Sequence, residues 1–383
     1  MSSGLSEEHI LIRDTARAFS REKLAPFAAE WDKSSEFPKE AIAALGELGF
    51  MGMLVPPELG GSGTDHVSYV LALIEIAAGD GSCSTVMSVQ NSLVCSPLQN
   101  YGSDFQKNTY LEPLARGEIL GCFGLTEPGA GSDAAALTTK AVRDGDEYII
   151  NGSKQFISTG KNADVALIFA VTDPDAGKKG ISAFLIPKGC PGFICANIED
   201  KLGQHASDTA HLVFEDCRIP IENRLGEEGE GYKIALSNLE GGRLGIASQS
   251  IGMARSAYRA AKKYAKERKA FGKEIAQHQA VAFRLADMAT SLQAAELMVL
   301  EAARVRDAGL PCLKVASMAK LFASEMAERV CSDAIQIHGG YGYLRDYEVE
   351  RIYRDVRVCQ IYEGTSDIQR LVISRQILQE DDE

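Results

Sequence analysis

The sequence predicts an α+β chain: an N-terminal helical domain over residues 1–117, a middle antiparallel β domain over 118–227 and a C-terminal four-helix bundle over 228–383. Three observations predict it. Apolar residues recur at helical spacing through the first third; from about 118 the segments turn short, β-branched and broken by turns. From Gly229 onward the helical pattern returns in longer pieces, roughly 231–267, 275–308, 312–338 and 366–380. Helices of that length must bury their apolar faces on one another, as a four-helix bundle does. A chain of 383 residues also exceeds what one core usually serves.

The first helix opens at Ser6, a suitable N-cap, with Glu7 and Glu8 in the first turn where the helix dipole favours negative charge. A full capping box is not expected, because His9 stands where a Glu or Gln would reach back. Ile10, Ile12, Ala16, Phe19 and Leu24 continue the helical face. Further helices fit 38–48, 69–78 and 85–99, and LGGSG at 59–63 reads as a loop without the strand or spacing of a phosphate cradle. In the β region, 148–158 carries Asn151-Gly152 as a hairpin turn between two arms, and 165–172, 180–187 and 211–220 extend the pattern. With no helices between them, these strands should form an antiparallel sheet or small barrel. The acidic tail at 380–383 is expected to fray.

Composition narrows the function. A net charge of −13 argues against nucleic-acid and acidic-membrane binding, though a local basic site could still hold a polyanionic ligand. Nine cysteines without a C-x-x-C pair read as reduced, mostly buried thiols, and six scattered histidines suggest no metal site. No apolar run reaches membrane-spanning length, and the first residues lack the blocks of a signal or transit peptide. The expected location is cytoplasmic, or the mitochondrial matrix if a presequence has been removed.

The sharpest chemical signal is one carboxylate. Glu363 stands in Tyr362-Glu363-Gly364-Thr365, where Gly364 breaks any helix and Thr365 with Ser366 can cap the next. A carboxylate on a tight turn between helices can be held rigidly in a cleft as a general base; alone, the tetrad reads better as a solvated turn, as most Glu beside a Gly are. Two more motifs accompany it, FGLTEPGAGSD beginning at Phe123 and QIHGGYGY beginning at Gln336. Three motifs in this order, spread over essentially the whole chain, resemble the acyl-CoA dehydrogenase family. The resemblance implies that family's helical–β–helical fold and a flavin adenine dinucleotide (FAD) cofactor. It also implies oxidation of an acyl-CoA thioester to its trans-2-enoyl form, with electrons passed to an electron-transferring flavoprotein.

The same resemblance assigns residues. Glu363 would take the α-proton, with Gly364 against the thioester and Thr365, Ser366 and Asp367 toward the cofactor. Phe123, Leu125, Thr126, Gly131 and Ser132 would lie against the flavin, and Ser132 also near the pantetheine arm. Phe156, Ile157 and Ser158 occupy a place where relatives commonly carry Trp-Ile-Thr; Phe keeps the aromatic face and loses the indole N–H. Arg268, with Phe271 and Gln279, is expected at the flavin pyrophosphate of a neighbouring subunit, since a guanidinium fork suits phosphate. Gln336, Gly339 and Gly340 would lie over that neighbour's adenine side, so a homotetramer is implied. His338 departs from the Phe, Leu or Met often found there and is not expected to be a ligand. Glu240 and Arg243 are expected at the acyl-CoA, although their spacing also allows a surface ion pair. Some members carry the base at the position matching Gly242 and a small residue in the tetrad; this chain has the reverse.

Residues 85–98 resemble short-chain members, while 317–323 and 338–347 also resemble isobutyryl-CoA-type members. A straight or branched chain of about four carbons fits both, because one methylene of pocket space is worth only about 1–3 kcal/mol. Butyryl-, isobutyryl- and 2-methylbutyryl-CoA therefore stay open, as do fatty acid and branched-chain amino acid catabolism. An acyl-CoA oxidase, which hands electrons to oxygen, is the nearer alternative; a binding protein that keeps the fold and flavin but has lost the base is the more distant one, and Glu363 in an intact tetrad discriminates against it.

Overall fold

In the computed structural model, whose described residues are 4–380, helix α1 (Glu7–Phe19) opens where the Ser6 hydroxyl accepts the His9 N–H at 3.1 Å. A capping box does form, against expectation. His9 Nδ1 accepts the Ser6 N–H at 3.1 Å, and Asp65 Oδ2, 2.7 Å from Nε2, favours the tautomer that leaves Nδ1 free to accept.

The N-terminal helices continue as α2 (Ala28–Ser34), α3 (Lys39–Glu47), α4 (His66–Gly79), α5 (Gly81–Ser88), α6 (Ser96–Tyr101), α7 (Asp104–Gln106) and α8 (Glu112–Ala115). α4 starts three residues before its expected place because Asp65 caps it, accepting the Ser68 N–H at 2.7 Å. The helix expected over 85–99 is interrupted: α5 and α6 are joined by wider π-helical turns over Val89–Cys95. Such turns are frequent at functional sites, and Val89 and Leu93 of this segment line the main cleft.

The middle region supplies β1 (Gly121–Gly124), β2 (Lys140–Asp144), β3 (Glu147–Ser158), β4 (Val165–Val171), β5 (Ile181–Pro187), β6 (Phe193–Ile198), β7 (Thr209–Pro220) and β8 (Arg224–Leu225). They form one eight-stranded sheet, ordered β6-β7-β3-β2-β4-β5-β8 with β1 beside β4; it ends at β6 and β8 rather than closing as a barrel. Most pairings are antiparallel, but β1 runs parallel to β4, and β2 meets β4 in parallel at Lys140 and Val171. The Asn151-Gly152 hairpin turn is not there. β3 runs straight through it, with a register shift between Ile150 and Gly152 against β7. Its arms pair with β2 and β7 instead of with each other, and Asn151 Oδ1 accepts the Asp216 N–H at 2.8 Å across that irregularity. The hairpin turn lies earlier, at Gly145-Asp146, where Gly145 adopts φ 64° and Asp144 pairs with Glu147.

The C-terminal part holds α9 (Gly231–Glu267), a small hairpin of β9 (Lys269–Ala270) and β10 (Lys273–Glu274), then α10 (Gln279–Asp307), α11 (Leu313–His338), α12 (Glu348–Val356) and α13 (Ser366–Ile377). α12 lies in a stretch where no helix was foreseen. The expected tail at 380–383 falls, from 381 on, outside the described residues.

Burial crosses these regions. One core cluster joins Phe19 of α1 and Leu73 of α4 to Ile251 of α9, Val299 of α10 and Ala323 of α11, so helices from both ends of the chain share an interior. α4 is buried on nearly every face, as a helix that is apolar all round must be. A second cluster packs Val94, Leu98 and Leu114 against Leu167 and Leu185 of the sheet; a third, with Tyr148, Ile168, Phe184 and Phe214, fills its other side. All nine cysteines are free, most of them buried. No described helix is long and apolar enough to cross a membrane.

Candidate active site

The chain enters α13 through the tetrad 362–365. Glu363 (φ 57°) and Gly364 (φ 85°) are both left-handed, a region in which glycine is at ease and glutamate is not. Surrounding groups must hold the turn against that preference. Thr365 caps α13, its Oγ1 accepting the Ile368 N–H at 3.2 Å. Gln369, fully buried, donates from Nε2 to the carbonyls of Glu363 and Gly364 at 3.0 Å each. Lys320 of α11, also fully buried, donates from Nζ to the Gly364 carbonyl at 2.8 Å. On the other side the Tyr362 hydroxyl donates to Gln249 Oε1 of α9, whose Nε2 donates to Gly81 O, Ser84 Oγ and Thr85 Oγ1 of α5.

So held, the Glu363 carboxylate lies over Gly242 of α9. A Cβ at that glycine would stand 1.7 Å from Oε1, which only hydrogen at position 242 allows. The residue faces the cleft in part, yet Oε1 itself is buried and has no hydrogen-bond partner among the described residues. Burial pushes the Glu363 carboxyl up to about 7, partly offset by the positive charges of Arg243 and Lys320. Arg243 is only 6% exposed, and its Nε and Nη1 are likewise unpartnered among the described residues.

The cleft has a volume of about 620 Å³ and gathers much of what the motifs pointed to. Phe123, Leu125, Thr126, Gly131 and Ser132 line it, together with Phe156, Ile157 and Ser158 of β3. Glu240 and Arg243 come from α9, and Glu363 and Gly364 from the tetrad, continued by Ile368, Leu371 and Val372 of α13. An apolar face of α13 thus borders the cleft. Glu240 does not pair with Arg243; its Oε2 lies 3.4 Å from Arg306 Nη1 and 3.3 Å from Cys312 Sγ.

The loop carrying Thr126 to Ser132 is anchored by a buried ion pair that sequence reasoning missed. Glu127 accepts from the Thr138 N–H at 2.6 Å, the Thr139 N–H at 2.9 Å and Lys154 Nζ at 2.7 Å. Burial would raise the Glu127 carboxyl, but the Lys154 ammonium and these donors outweigh it and hold it at about 2. One signal was available: Lys154 falls at an inward position of β3, in step with Tyr148 and Ile150. Lys320 carried a similar signal, sitting on the apolar face of α11 with Ala316, Ala323 and Ala327.

Other expected site residues do not meet Glu363 within one chain. Arg268, Gly339 and Gly340 line a second cavity of about 400 Å³ with Tyr264, His338 and Tyr341, sharing no wall residue with the cleft. The Arg268 guanidinium stands 5.7 Å over the Tyr341 ring. Phe271 is 96% exposed, and Gln279 and Gln336 are also on the surface. Thr365, Ser366 and Asp367 do not line the cleft either: Thr365 is committed to its cap, and the exposed Asp367 lies 3.7 Å from Arg370.

Three family domains match the chain: acyl-CoA dehydrogenase N-terminal domain over residues 6–118, middle domain over 122–217 and C-terminal domain over 229–378. The chain is 46% identical to the short-chain specific acyl-CoA dehydrogenase of Clostridium acetobutylicum, over 98% of this chain and 100% of that protein. Butyryl-CoA dehydrogenase from Megasphaera elsdenii superposes with a TM-score of 0.96 at 42% identity, over 98% of this chain and 99% of that one. A chain from a structure of the electron transferring flavoprotein of Acidaminococcus fermentans reaches 0.97 at 48% identity, over 99% of this chain and all of that one. With its three domains matched in order and nearly its whole length shared with these proteins, the chain belongs to the acyl-CoA dehydrogenase family.

Proposed function

We propose that this protein introduces a trans α,β double bond into short-chain acyl-CoA thioesters, with Glu363 as the base and an electron-transferring flavoprotein as electron acceptor. The observation that carries the reading is the Glu363 carboxylate itself. It sits on a left-handed turn lining the cleft, its Oε1 without a hydrogen-bond partner among the described residues and its pKa raised to about 7. A carboxylate with a buried oxygen, poised near neutral pH, is suited to taking a weakly acidic α-proton. The short-chain assignment draws on the C. acetobutylicum and M. elsdenii relatives, and on the 85–98 segment, of which Thr85, Ser88, Val89 and Leu93 line the cleft.

The family's enzymes use FAD, and the cleft residues fit such a group. Phe156 stands at φ 60° with 63% of its surface exposed, an aromatic face with no cover of its own, and a Cβ on Gly131 would meet nothing within 4 Å. Phe123, Leu125, Thr126, Ser132, Ile157 and Ser158 would complete that wall with apolar surface and hydroxyl groups. Arg268, Phe271, Gln279, Gln336, Gly339 and Gly340 would serve a neighbouring subunit's cofactor, which makes a homotetramer the expected assembly. FAD, when bound, supplies the acceptor for the β-hydrogen and its electron pair.

The chain's own residues do the rest. The Glu363 backbone N–H would donate to the thioester carbonyl oxygen and stabilise the enolate that develops as the α-proton leaves. The carboxylate receives that proton. Arg243 and Lys320 place positive charge near the reacting region, and the apolar face of α13 borders the cleft. Ser132, Glu240 and Arg243 lie along the cleft for the pantetheine arm.

Anaerobic titration with a panel of thioesters tests the proposal. Butyryl-, isobutyryl- or 2-methylbutyryl-CoA should bleach the flavin, palmitoyl-CoA should do so far more slowly, and Glu363→Gln should bind ligand without bleaching. Reoxidation should be faster with electron-transferring flavoprotein than with air. Equal turnover of palmitoyl-CoA would remove the short-chain assignment, and fast bleaching in Glu363→Gln would remove the base.

A further inference from the structure

Lys320 is a charged side chain buried outside the cleft wall, and its environment is unusual. It has no solvent exposure, and its ammonium donates to one backbone acceptor, the carbonyl of Gly364. That acceptor belongs to the residue after Glu363, in a turn where two successive residues are left-handed. A surface lysine would keep its ammonium hydrated; this one is desolvated on the apolar side of α11 and spends its charge on the back of the turn. Gln369 donates to the same carbonyl from α13, so the turn is clamped between α11 and α13.

We propose that Lys320 is a positioning residue for the base: it locks the left-handed turn through the Gly364 carbonyl and keeps a buried positive charge one residue from Glu363. The inference rests on the assignment of Glu363 as the base. The groups facing Lys320 are Glu363 and Cys359 from the segment leading into α13, Arg243 from α9 and Glu325 from its own helix. Those acting on the Glu363 carboxyl are Arg243 and Lys320, while the buried Tyr69 of α4 feels the Glu363 charge in turn. Arg243 lines the cleft, whereas Lys320 does not, so Lys320 works from behind the turn.

The sign follows from charge. Burial drives the Glu363 carboxyl up, and Lys320 is one of the two cations that moderate the rise. Without that cation the carboxyl needs a higher pH to ionise, and without the hydrogen bond the turn loosens.

The experiment compares Lys320→Met, Lys320→Gln and Glu363→Gln as flavin-loaded proteins. Flavin content, Tm, butyryl-CoA Kd and the pH dependence of anaerobic flavin reduction are read for each. Lys320→Met should keep flavin and bind butyryl-CoA about as the parent does. Its limiting reduction rate should fall on the order of 10²-fold, the cost of an ångström-scale misplacement of a catalytic group. The acid limb of its pH profile should move up by about one unit, equivalent to one tenfold change in ionisation. Lys320→Gln keeps a neutral donor for Gly364, so it should recover most of the rate at high pH while retaining the shifted limb. A limiting rate within about threefold of the parent and an unmoved limb in Lys320→Met overturn the inference; ordinary surface substitutions do no more than that. Loss of flavin and Tm in Lys320→Met, with a parent-like limb in Lys320→Gln, also overturns it by making Lys320 purely structural. Glu363→Gln separates the two readings: if it still reduces flavin, the base is misassigned, and if it is dead while Lys320→Met is normal, only the role of Lys320 fails.

Discussion

Gly242→Ala should damage catalysis without damaging the fold. The added Cβ would stand 1.7 Å from Glu363 Oε1, 2.5 Å from Cδ and 3.1 Å from Cγ, where ordinary contact begins near 3.4 Å. The backbone of Glu363 cannot retreat easily, because Gln369 and Lys320 hold the carbonyls of the turn. The carboxylate must therefore swing away by more than an ångström, and misplacement of that size costs on the order of 10²-fold in rate, or about 2.7 kcal/mol of barrier. Stability should move the other way. Position 242 lies inside α9, where replacing Gly by Ala gains about 0.5–1 kcal/mol of helix preference. Stopped-flow reduction by butyryl-CoA under anaerobic conditions, with flavin content and urea unfolding measured alongside, reads both effects. Reduction at the parent rate in a folded, flavin-loaded Gly242→Ala would refute the placement of the carboxylate and the role built on it.

Four further outcomes follow from the same geometry. The double variant Gly242→Glu with Glu363→Gly should recover part of the activity that Glu363→Gln loses, since a side chain on 242 points into the volume the native carboxylate occupies; flavin reduction checks it. Because the base acts ionised and its carboxyl is raised to about 7, kcat/KM should fall as pH drops below about 7; the same shift makes Glu363 stabilising below its ordinary 4.5, with that contribution lost as pH rises through about 7. Lys154→Met strands the Glu127 carboxylate in a buried site and should cost about 3–5 kcal/mol by urea unfolding, the usual penalty for removing one partner of a buried pair. Arg268→Ala should weaken flavin retention by about 1–3 kcal/mol, the worth of a charged hydrogen bond, measured by equilibrium dialysis, with unchanged affinity excluding Arg268 from the cofactor site.

The long helices were legible because their apolar period runs for dozens of residues; α9 and α11 begin and end within a residue of where the pattern placed them. Local chemistry was less dependable. Asn151-Gly152 carries a strong hairpin signal, yet neighbouring strands captured both of its arms, and tertiary pairing overrode the dipeptide's preference. His9 formed a capping box because Asp65, far away in sequence, holds its ring in the accepting tautomer. The split of α5 and α6 by π-helical turns has no one-residue signature at all.

For the site, the sequence by itself determined the family resemblance, the order of the three motifs and the choice of Glu363 over position 242 as the place of the carboxylate. Those are properties of residue identity and chain order, which survive without coordinates. Only the tertiary structure decided that Glu240 is committed to Arg306 while Arg243 Nε and Nη1 have no partner among the described residues, and that the Arg268 group stands apart from the Glu363 cleft. It also brought Lys320 and Gln369 behind the base and Lys154 beneath the 126–132 loop. These contacts join residues far apart in the chain or on separate elements, and each depends on burial, which removes water as the competing partner and so turns a single ammonium or amide into a positional constraint.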